Sequence, residues 1–338
     1  MKILIDAFGG DNAPEEVIAG AIQAVNSKDG FTAVLVGEET VIKEKLQGFD
    51  YDKSRIEILN AESIITCEEE PTVAIRKKPD SSICVALKEL KENPDAAAFV
   101  SAGSTGAVLV GATLKLGRIR GVNRPALCPV LPTVDGDKKV LLLDAGANAD
   151  CKAVNLVQFA LMGTAYAETL GVKNPKVALL SNGSEDEKGN ALNHEVFPLL
   201  KELNGIKFIG NLEARDILSG QADVVVTDGF SGNIALKSLE GAIGSLFKVL
   251  KETIYGSLSG KIGGLLLKKP FRVIKDKMDY NKSGGALFLG VEKPVIKAHG
   301  SSKRVAFANA ILQAADYAEK SLTEKIKEKF NSVQTDGE

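Results

Sequence analysis

Residues 222–233, Ala-Asp-Val-Val-Val-Thr-Asp-Gly-Phe-Ser-Gly-Asn, constrain the fold more than any other stretch. The unbroken run Val224-Val225-Val226 suits a strand covered on both faces, as parallel strands are. Thr227-Asp228-Gly229 ends it, and Ser231-Gly232-Asn233 opens a long helical pattern. In open α/β sheets, ligands bind at such carboxyl-end turns. Small residues there let backbone N–H groups approach an anion at the helix N-terminus. Four other stretches share this grammar: Asp6-Ala-Phe-Gly-Gly-Asp-Asn12, Ser101-Ala-Gly-Ser-Thr-Gly106, Asp144-Ala-Gly-Ala-Asn-Ala-Asp150 and Ser181-Asn-Gly-Ser-Glu-Asp-Glu-Lys-Gly-Asn190. Five such turns predict one site assembled from several strand ends.

The rest of the chain supports a layered α/β protein. Strands at 3–7, 31–37 and 55–60 alternate with helical patterns beginning at Pro14-Glu15-Glu16 and Glu39, the alternation of a doubly wound sheet. Residues 125–131 and 139–143 read as two strands joined by a turn at Asp135-Gly136-Asp137, which suggests a second lobe or an arm. His299-Gly300-Ser301-Ser302 is expected to cap one terminal helix reaching about residue 330, with 331–338 as a flexible tail. Residues 1–330 are read as a single α/β/α domain with room for two lobes.

Composition excludes several classes. Net charge is −2, aromatics are 5% and tryptophan is absent, so nothing suggests a nucleic-acid stacking surface. Cys67, Cys84, Cys128 and Cys151 form no Cys-x-x-Cys pair, which fits reduced thiols in a cytoplasmic protein and no zinc site. With a strand expected from Lys2, no signal peptide is expected, and the uncharged stretch 96–114 fits a buried strand–turn–helix better than a membrane span. Neither a Gly-x-Gly-x-x-Gly nor a Walker motif follows a strand, and there is no Gly-x-Ser-x-Gly elbow. His194 reads as a solvent-facing helix residue, while His299 sits in a glycine–serine turn where a site role and a turn role are equally open.

What remains is a set of anion-binding turns with isolated polar groups: Asp6, Asp11, Asp144, Asn148, Asp150, Lys188, Asn190, Asp228, Ser231, Asn233 and Lys282. Such a site suits an anionic nucleophile such as phosphate, already ionised near pH 7. Charge-assisted bonds of roughly 1.5–3 kcal/mol each would offset part of its desolvation. Carboxylates beside it would repel it, so some of Asp144, Asp150 and Asp228 are expected to brace loops instead.

Residues 256–280 differ in character. Ile262, Leu265, Leu266, Leu267, Phe271, Val273, Ile274 and Met278 alternate with Lys261, Lys268, Lys269, Arg272, Lys275 and Lys277. Because Pro270 starts helices better than it continues them, two short amphipathic helices are expected. Their apolar face packs internally or at a dimer interface, or else forms a projecting basic arm for anionic lipid or an acidic protein.

Taken together, these motifs resemble the bacterial phosphate acyltransferase family of phospholipid synthesis (acyl-ACP:phosphate acyltransferase, the PlsX family). The resemblance rests on Ile5-Asp-Ala-Phe-Gly-Gly-Asp-Asn-Ala-Pro14, Ser101-Ala-Gly-Ser-Thr-Gly-Ala107, Arg124-Pro-Ala-Leu127, Asp144-Ala-Gly-Ala-Asn148 and Glu185-Asp-Glu-Lys-Gly-Asn190. Gly210-Asn-Leu-Glu-Ala-Arg215, Val226-Thr-Asp-Gly-Phe-Ser-Gly-Asn233 and Pro294-Val-Ile-Lys-Ala-His-Gly-Ser-Ser302 extend it across the chain. It implies reversible transfer of a long-chain acyl group from acyl carrier protein to inorganic phosphate. The acyl-phosphate would pass to a glycerol-3-phosphate acyltransferase for phosphatidic acid synthesis. It also implies a homodimer of three-layer α/β/α, mostly parallel fold, similar to isocitrate and isopropylmalate dehydrogenases and phosphotransacetylase. No cofactor or metal is implied; phosphate enters as a substrate.

By the same resemblance, Lys188 and Asn233 are expected to be catalytic. Phosphate or substrate is expected at Asp6, Gly9, Gly10, Asp11, Ser104, Thr105, Gly106, Asp144, Asn148, Asn190, Asp228, Ser231, Gly232 and His299. Carrier or peripheral membrane contact is expected at Lys261, Leu265, Leu266, Lys268, Lys269, Phe271, Arg272 and Lys275. A phosphotransacetylase-like enzyme using acyl-CoA, and a membrane scaffold without turnover, are the alternatives.

Overall fold

In the computed structural model, residues 1–278 and 284–335 are described. Lys282 and the first half of the expected 281–286 turn lie outside them, as do the side chain of Lys275 and the tail from 336. The chain opens with β1 (Lys2–Asp6), α1 (Glu15–Ser27), β2 (Thr32–Gly37), α2 (Glu39–Leu46) and β3 (Ile56–Asn60). Two helices, α3 (Pro71–Lys77) and α4 (Ser82–Glu92), precede β4 (Ala96–Ser101) and α5 (Thr105–Gly111), whose last turn widens over Ala112–Leu116. β5 (Ala126–Cys128), β6 (Val130–Pro132) and β7 (Lys139–Leu143) follow without an intervening helix. Next come α6 (Ala153–Thr169), β8 (Lys176–Ser181), α7 (Ala191–Glu202), β9 (Lys207–Glu213) and β10 (Val224–Val226). The chain continues through α8 (Gly229–Tyr255), α9 (Leu258–Met278), β11 (Ala286–Leu289), β12 (Val295–Lys297), α10 (Arg304–Glu319) and α11 (Leu322–Thr335).

These strands form two mostly parallel sheets, ordered β3-β2-β1-β4-β12-β11-β5 and β6-β7-β10-β8-β9. The stretch expected to be one strand over 125–131 divides at Pro129. β5 pairs antiparallel with β11 in the first sheet, and β6 pairs antiparallel with β7 in the second. Proline has no N–H to offer a ladder, so it suits the point where the chain changes sheets.

Period-two alternation decides what each strand covers. Ile3 and Ile5 join a cluster with Ile18, Ile22 and Phe307, whereas Leu4 meets Ile75, Ile83 and Leu87. In the second sheet Val224 and Val226 share a cluster with Phe159 of α6, while Val225 packs with Ala235 and Leu236 of α8. The valine run is thus buried on both faces, as its composition requires. Helices on both sides make the architecture α/β/α.

Helix ends follow local chemistry, with three departures from expectation. Glu70 caps α3 by accepting from Thr72 N (3.1 Å) and Val73 N (2.7 Å), and Ser81 caps α4 through Cys84 N (3.4 Å). The terminal segment is two helices, not one: Ser321, with a φ of +52°, turns the chain between α10 and α11. Residues 331–335, expected as tail, continue α11. The arm is also one helix, with Pro270 inside α9 instead of starting a second helix. α9 folds back on α8, and Phe247, Ile254, Tyr255 and Phe271 line the groove between them.

Candidate active site

The parallel strands put their carboxyl ends on two neighbouring rows. β1, β4 and β12 are adjacent in register, with Lys297 opposite Ser101. β7, β10 and β8 are adjacent in the second sheet, with Val226 opposite both Leu143 and Leu179. Asp11 N donates to Gly300 O at 2.9 Å, and a Cβ on Gly10 (φ +101°) would lie 2.8 Å from Ala102 Cβ and 2.9 Å from Gly300 O. The turns after β1, β4 and β12 therefore interlock, and glycine is required where they touch.

Asp6 and Asp144 prove to be braces. Buried Asp6 accepts from Ser101 Oγ at 2.6 Å and from Phe8 N at 3.3 Å. Burial raises its pKa against these bonds. The buried Asp144 carboxylate accepts from Leu127 N, Gly146 N and Ala147 N at 2.9–3.1 Å, and from Asn148 N and Nδ2 at 2.7 and 2.8 Å. Burial pushes this carboxyl up too, while those donors favour its ionised form. Asn148 Nδ2 also reaches Pro125 O at 2.7 Å, so Asn148 is spent on the same loop. Asp228 caps α8 by accepting from Ser231 N at 2.8 Å, and Asn190 caps α7 through Asn193 N at 3.0 Å.

The first turn of α8 crosses this loop closely. A Cβ on Gly232 would fall 1.9 Å from Asp144 O, and one on Gly146 would fall 3.4 Å from Asn233 Cγ. Asn233 thereby stands over the loop after β7 and lines a cavity of about 390 Å³ between the two sheets. Thr105, Lys237, Lys297, His299 and Gly300 line it as well. A second cleft, about 750 Å³, opens on the other side of α8 beside Ser181, Asn190, Asp228, Ser231 and Ile234. The buried Ser181 hydroxyl there has no hydrogen-bond partner among the described residues.

The expected residues thus divide. Thr105, Asn233 and His299 meet in the inter-sheet cavity, whereas Asn190, Asp228 and Ser231 meet in the second cleft. Asp6, Gly9, Gly10, Asp11, Ser104, Gly106, Asp144, Asn148 and Gly232, also expected at the substrate, line neither. Lys188 is exposed on the loop after β8, lines neither cavity and lays its alkyl chain against Gly183.

Lys297 carries chemistry that the sequence reading did not single out. It is 9% exposed, and its Nζ donates to Ala102 O (3.2 Å) and to Ala298 O. Burial lowers its pKa to about 8, against the pull of Cys67, Asp6 and Asp11. Its one visible signal was a lysine within the short apolar strand Val295-Ile-Lys297. Lys237, held at 2.7 Å by Glu240, adds a second cation at the cavity. His299 Nδ1 accepts from Ser301 N at 3.3 Å and lies 2.8 Å from Ser301 Oγ, which leaves the ring proton on Nε2. Burial, then Lys237, lowers its pKa. No cluster of His, Cys, Asp and Glu suited to a metal occurs among the described residues.

The chain is thus a three-layer α/β/α protein with a cavity between its two sheets, lined by Lys237, Glu240, Lys297 and His299. Solved structures share that fold: EutD phosphotransacetylase from Staphylococcus aureus (TM-score 0.61, 19% identity, 94% of each chain) and a putative 4-hydroxythreonine-4-phosphate dehydrogenase from Salmonella typhimurium (TM-score 0.53, 14% identity, 93% of this chain and 98% of the other). The chain belongs to the family described as fatty acid synthesis protein, whose model matches residues 1–325. It is 49% identical over 328 residues to the phosphate acyltransferase of Clostridium novyi (97% of this chain, 98% of the relative). It is 46% identical over 336 residues to that of Clostridium tetani (99% of each). It is an enzyme, an acyltransferase.

Proposed function

We propose that the enzyme transfers a long-chain acyl group from the thioester of acyl carrier protein to inorganic phosphate, in the inter-sheet cavity. The observation that carries this reading is the meeting of Lys297, Lys237, His299 and Asn233 in one space, with the neighbouring carboxylates Asp6 and Asp144 occupied by internal donors. Phosphate binds among the cations, and one of its oxygens attacks the thioester carbon. The carbon–sulfur bond breaks and the remaining phosphate proton passes to the departing thiolate. Asn233 donates to the developing oxyanion, a contribution of about 10²–10³ in rate for one such donor. Lys188 lines neither cavity, so its catalytic role in this reading requires the loop after β8 to carry it across to the phosphate. Both ends of the reaction are activated acyl groups, so it runs in either direction.

The same reading takes the acyl-phosphate onward to a glycerol-3-phosphate acyltransferase and places the enzyme as a homodimer that touches the membrane peripherally. The α9 helix supports the last point. Leu265 and Leu266 are 70% and 78% exposed between Lys261 and the pair Lys268-Lys269, an amphipathic basic surface. No described helix is long and apolar enough to cross a bilayer.

The test is thiol release from palmitoyl-carrier protein with and without phosphate. Phosphate-dependent release with acyl-phosphate formed is expected, along with large losses in Lys188→Ala and Asn233→Ala. Faster release from palmitoyl-CoA would reassign the donor, and liposome binding without release would leave only a scaffold.

A further inference from the structure

A third concavity, lined by no residue of α9, touches the 144–148 loop at Asn148, where the inter-sheet cavity touches it at Ala145 and Gly146. It measures about 390 Å³, and its rim carries Arg76 from α3 with Arg118 and Arg124 from the connector before β5. Leu109, Val110 and Leu114 form its floor, and Leu114 is 54% exposed. Arg118 is steered by Asn123 O, and Arg124 donates to Asp150 O at 3.0 Å. Arg55, Arg215 and Arg304 form salt bridges; among the described residues, Arg76, Arg118 and Arg124 do not. Three guanidinium groups that form no salt bridge among the described residues, beside an apolar lining, make a receptor for an anion with an organic tail. Arginine binds phosphate oxygens in a two-pronged manner that a lysine point charge does not match.

The groove is joined to the cavity by short elements. Thr105, at the start of α5, lines the cavity, and Leu109, Val110 and Thr113 further along line the groove. Ala145 and Gly146 belong to the cavity wall, and Asn148 of the same loop to the groove. The run from Thr105 to Thr113 covers about 12 Å at 1.5 Å per residue, within reach of an extended pantetheine arm.

We infer that this arginine-rimmed groove is the docking surface for the carrier, holding the phosphate of its phosphopantetheine arm while the arm passes along α5 into the inter-sheet cavity. The carrier's acidic surface meets Arg76, Arg118 and Arg124 at the rim, and the apolar floor takes the arm's methyl-bearing segment. The inference rests on the proposed acyl-carrier donor, yet it concerns binding and can be tested without turnover.

The experiment titrates fluorescently labelled carrier, with and without its phosphopantetheine, against the full-length enzyme. The wild type is expected to bind the holo form more tightly, with affinity falling as salt rises. In the Arg76→Glu/Arg118→Glu double variant, holo binding should weaken at least tenfold and the preference for holo over apo should vanish. Arg76→Gln/Arg118→Gln, a milder change, should show the same direction with a smaller loss. With a decanoyl thioester of N-acetylcysteamine, which has neither protein nor phosphate, the variants should turn over like the wild type. Unchanged holo binding in the folded variants overturns the inference. So does equal loss on the small thioester, or a loss carried instead by Lys268→Glu/Lys269→Glu. If the wild type binds holo-carrier through these arginines but releases no thiol, the reaction reading fails and the docking surface stands.

Discussion

The carboxylate of Asp144 takes both the backbone N–H and the side-chain amide of Asn148, at 2.7 and 2.8 Å. Three further N–H groups complete its acceptance, so its charge is used to fold the loop under Asn233 instead of meeting substrate. Asp144→Asn puts an NH₂ where only donors converge. A loss of about 3 kcal/mol is expected, since bonds to a charged group contribute roughly 1.5–3 kcal/mol and one becomes a clash of donors. Guanidinium unfolding measures it. The exposed Asp11, changed to Asn, should move stability by less than about 0.5 kcal/mol; similar losses at both positions would remove Asp144 from this role.

Two glycines of α8 should respond oppositely to alanine. At Gly232 the new Cβ would meet Asp144 O at 1.9 Å, a backbone atom with no rotamer to yield. Gly232→Ala is expected to cost about 1–3 kcal/mol or more and to lower turnover by displacing Asn233. At Gly241 nothing lies within 4 Å, so Gly241→Ala should stabilise by up to about 1 kcal/mol, as the removal of a mid-helix glycine does. Thermal melts of the two variants, with initial rates beside them, decide the matter.

Burial holds the pKa of Lys297 near 8, below the 10.5 of a free lysine. The folded state therefore binds fewer protons than the unfolded state between these values, and stability rises with pH across that window. Lys297→Met should flatten this rise in urea midpoints measured from pH 7.5 to 10. Phosphate binding runs the other way. As pH passes about 8 the wild type loses the ammonium that faces the cavity, so KM for phosphate should climb. In Lys297→Met, KM for phosphate should be high throughout and insensitive to pH in that range. A wild-type KM that stays flat from pH 7 to 9.5 would detach Lys297 from phosphate.

How much of this was legible beforehand differs element by element. The Val224–Val226 run announced a strand covered on both sides, because a strand with one solvated face commonly alternates apolar and polar residues. The strand-end turns were legible through their small residues; the repulsion argument expected some of Asp144, Asp150 and Asp228 to brace loops, and Asp144 and Asp228, both also expected at phosphate, accept internal N–H groups. The division of 125–131 at Pro129 was not, since the run is apolar throughout. What separates its halves are partners far along the chain, β11 for one and β7 for the other. Nor did any glycine or proline mark the break at Ser321. Lys297 was hidden for a different reason: a lysine gains its chemistry from burial, and burial is a property of the assembled sheets. The split of the turns into two cavities on either side of α8 likewise depends on where the second sheet sits.

Pro270 offers the sharpest contrast between the two readings of the arm. Within α9 it withholds an N–H from the carbonyl of Leu266 and crowds that turn, a cost near 3 kcal/mol relative to alanine in a helix interior. Pro270→Ala should therefore stabilise α9 locally, and amide exchange over 262–278 should slow by tenfold or more. Had Pro270 begun a second helix, its missing N–H would have been no loss, and alanine would leave exchange unchanged or faster. Turnover of a small thioester should not respond, because the α8–α9 groove is lined by none of the residues around the inter-sheet cavity. Liposome binding is the informative companion: a stiffer α9 presents Leu265 and Leu266 with less ordering entropy to lose. Affinity for anionic vesicles should then rise as exchange slows. Slower exchange with weaker vesicle binding would show that the arm must deform at Pro270 to meet a membrane.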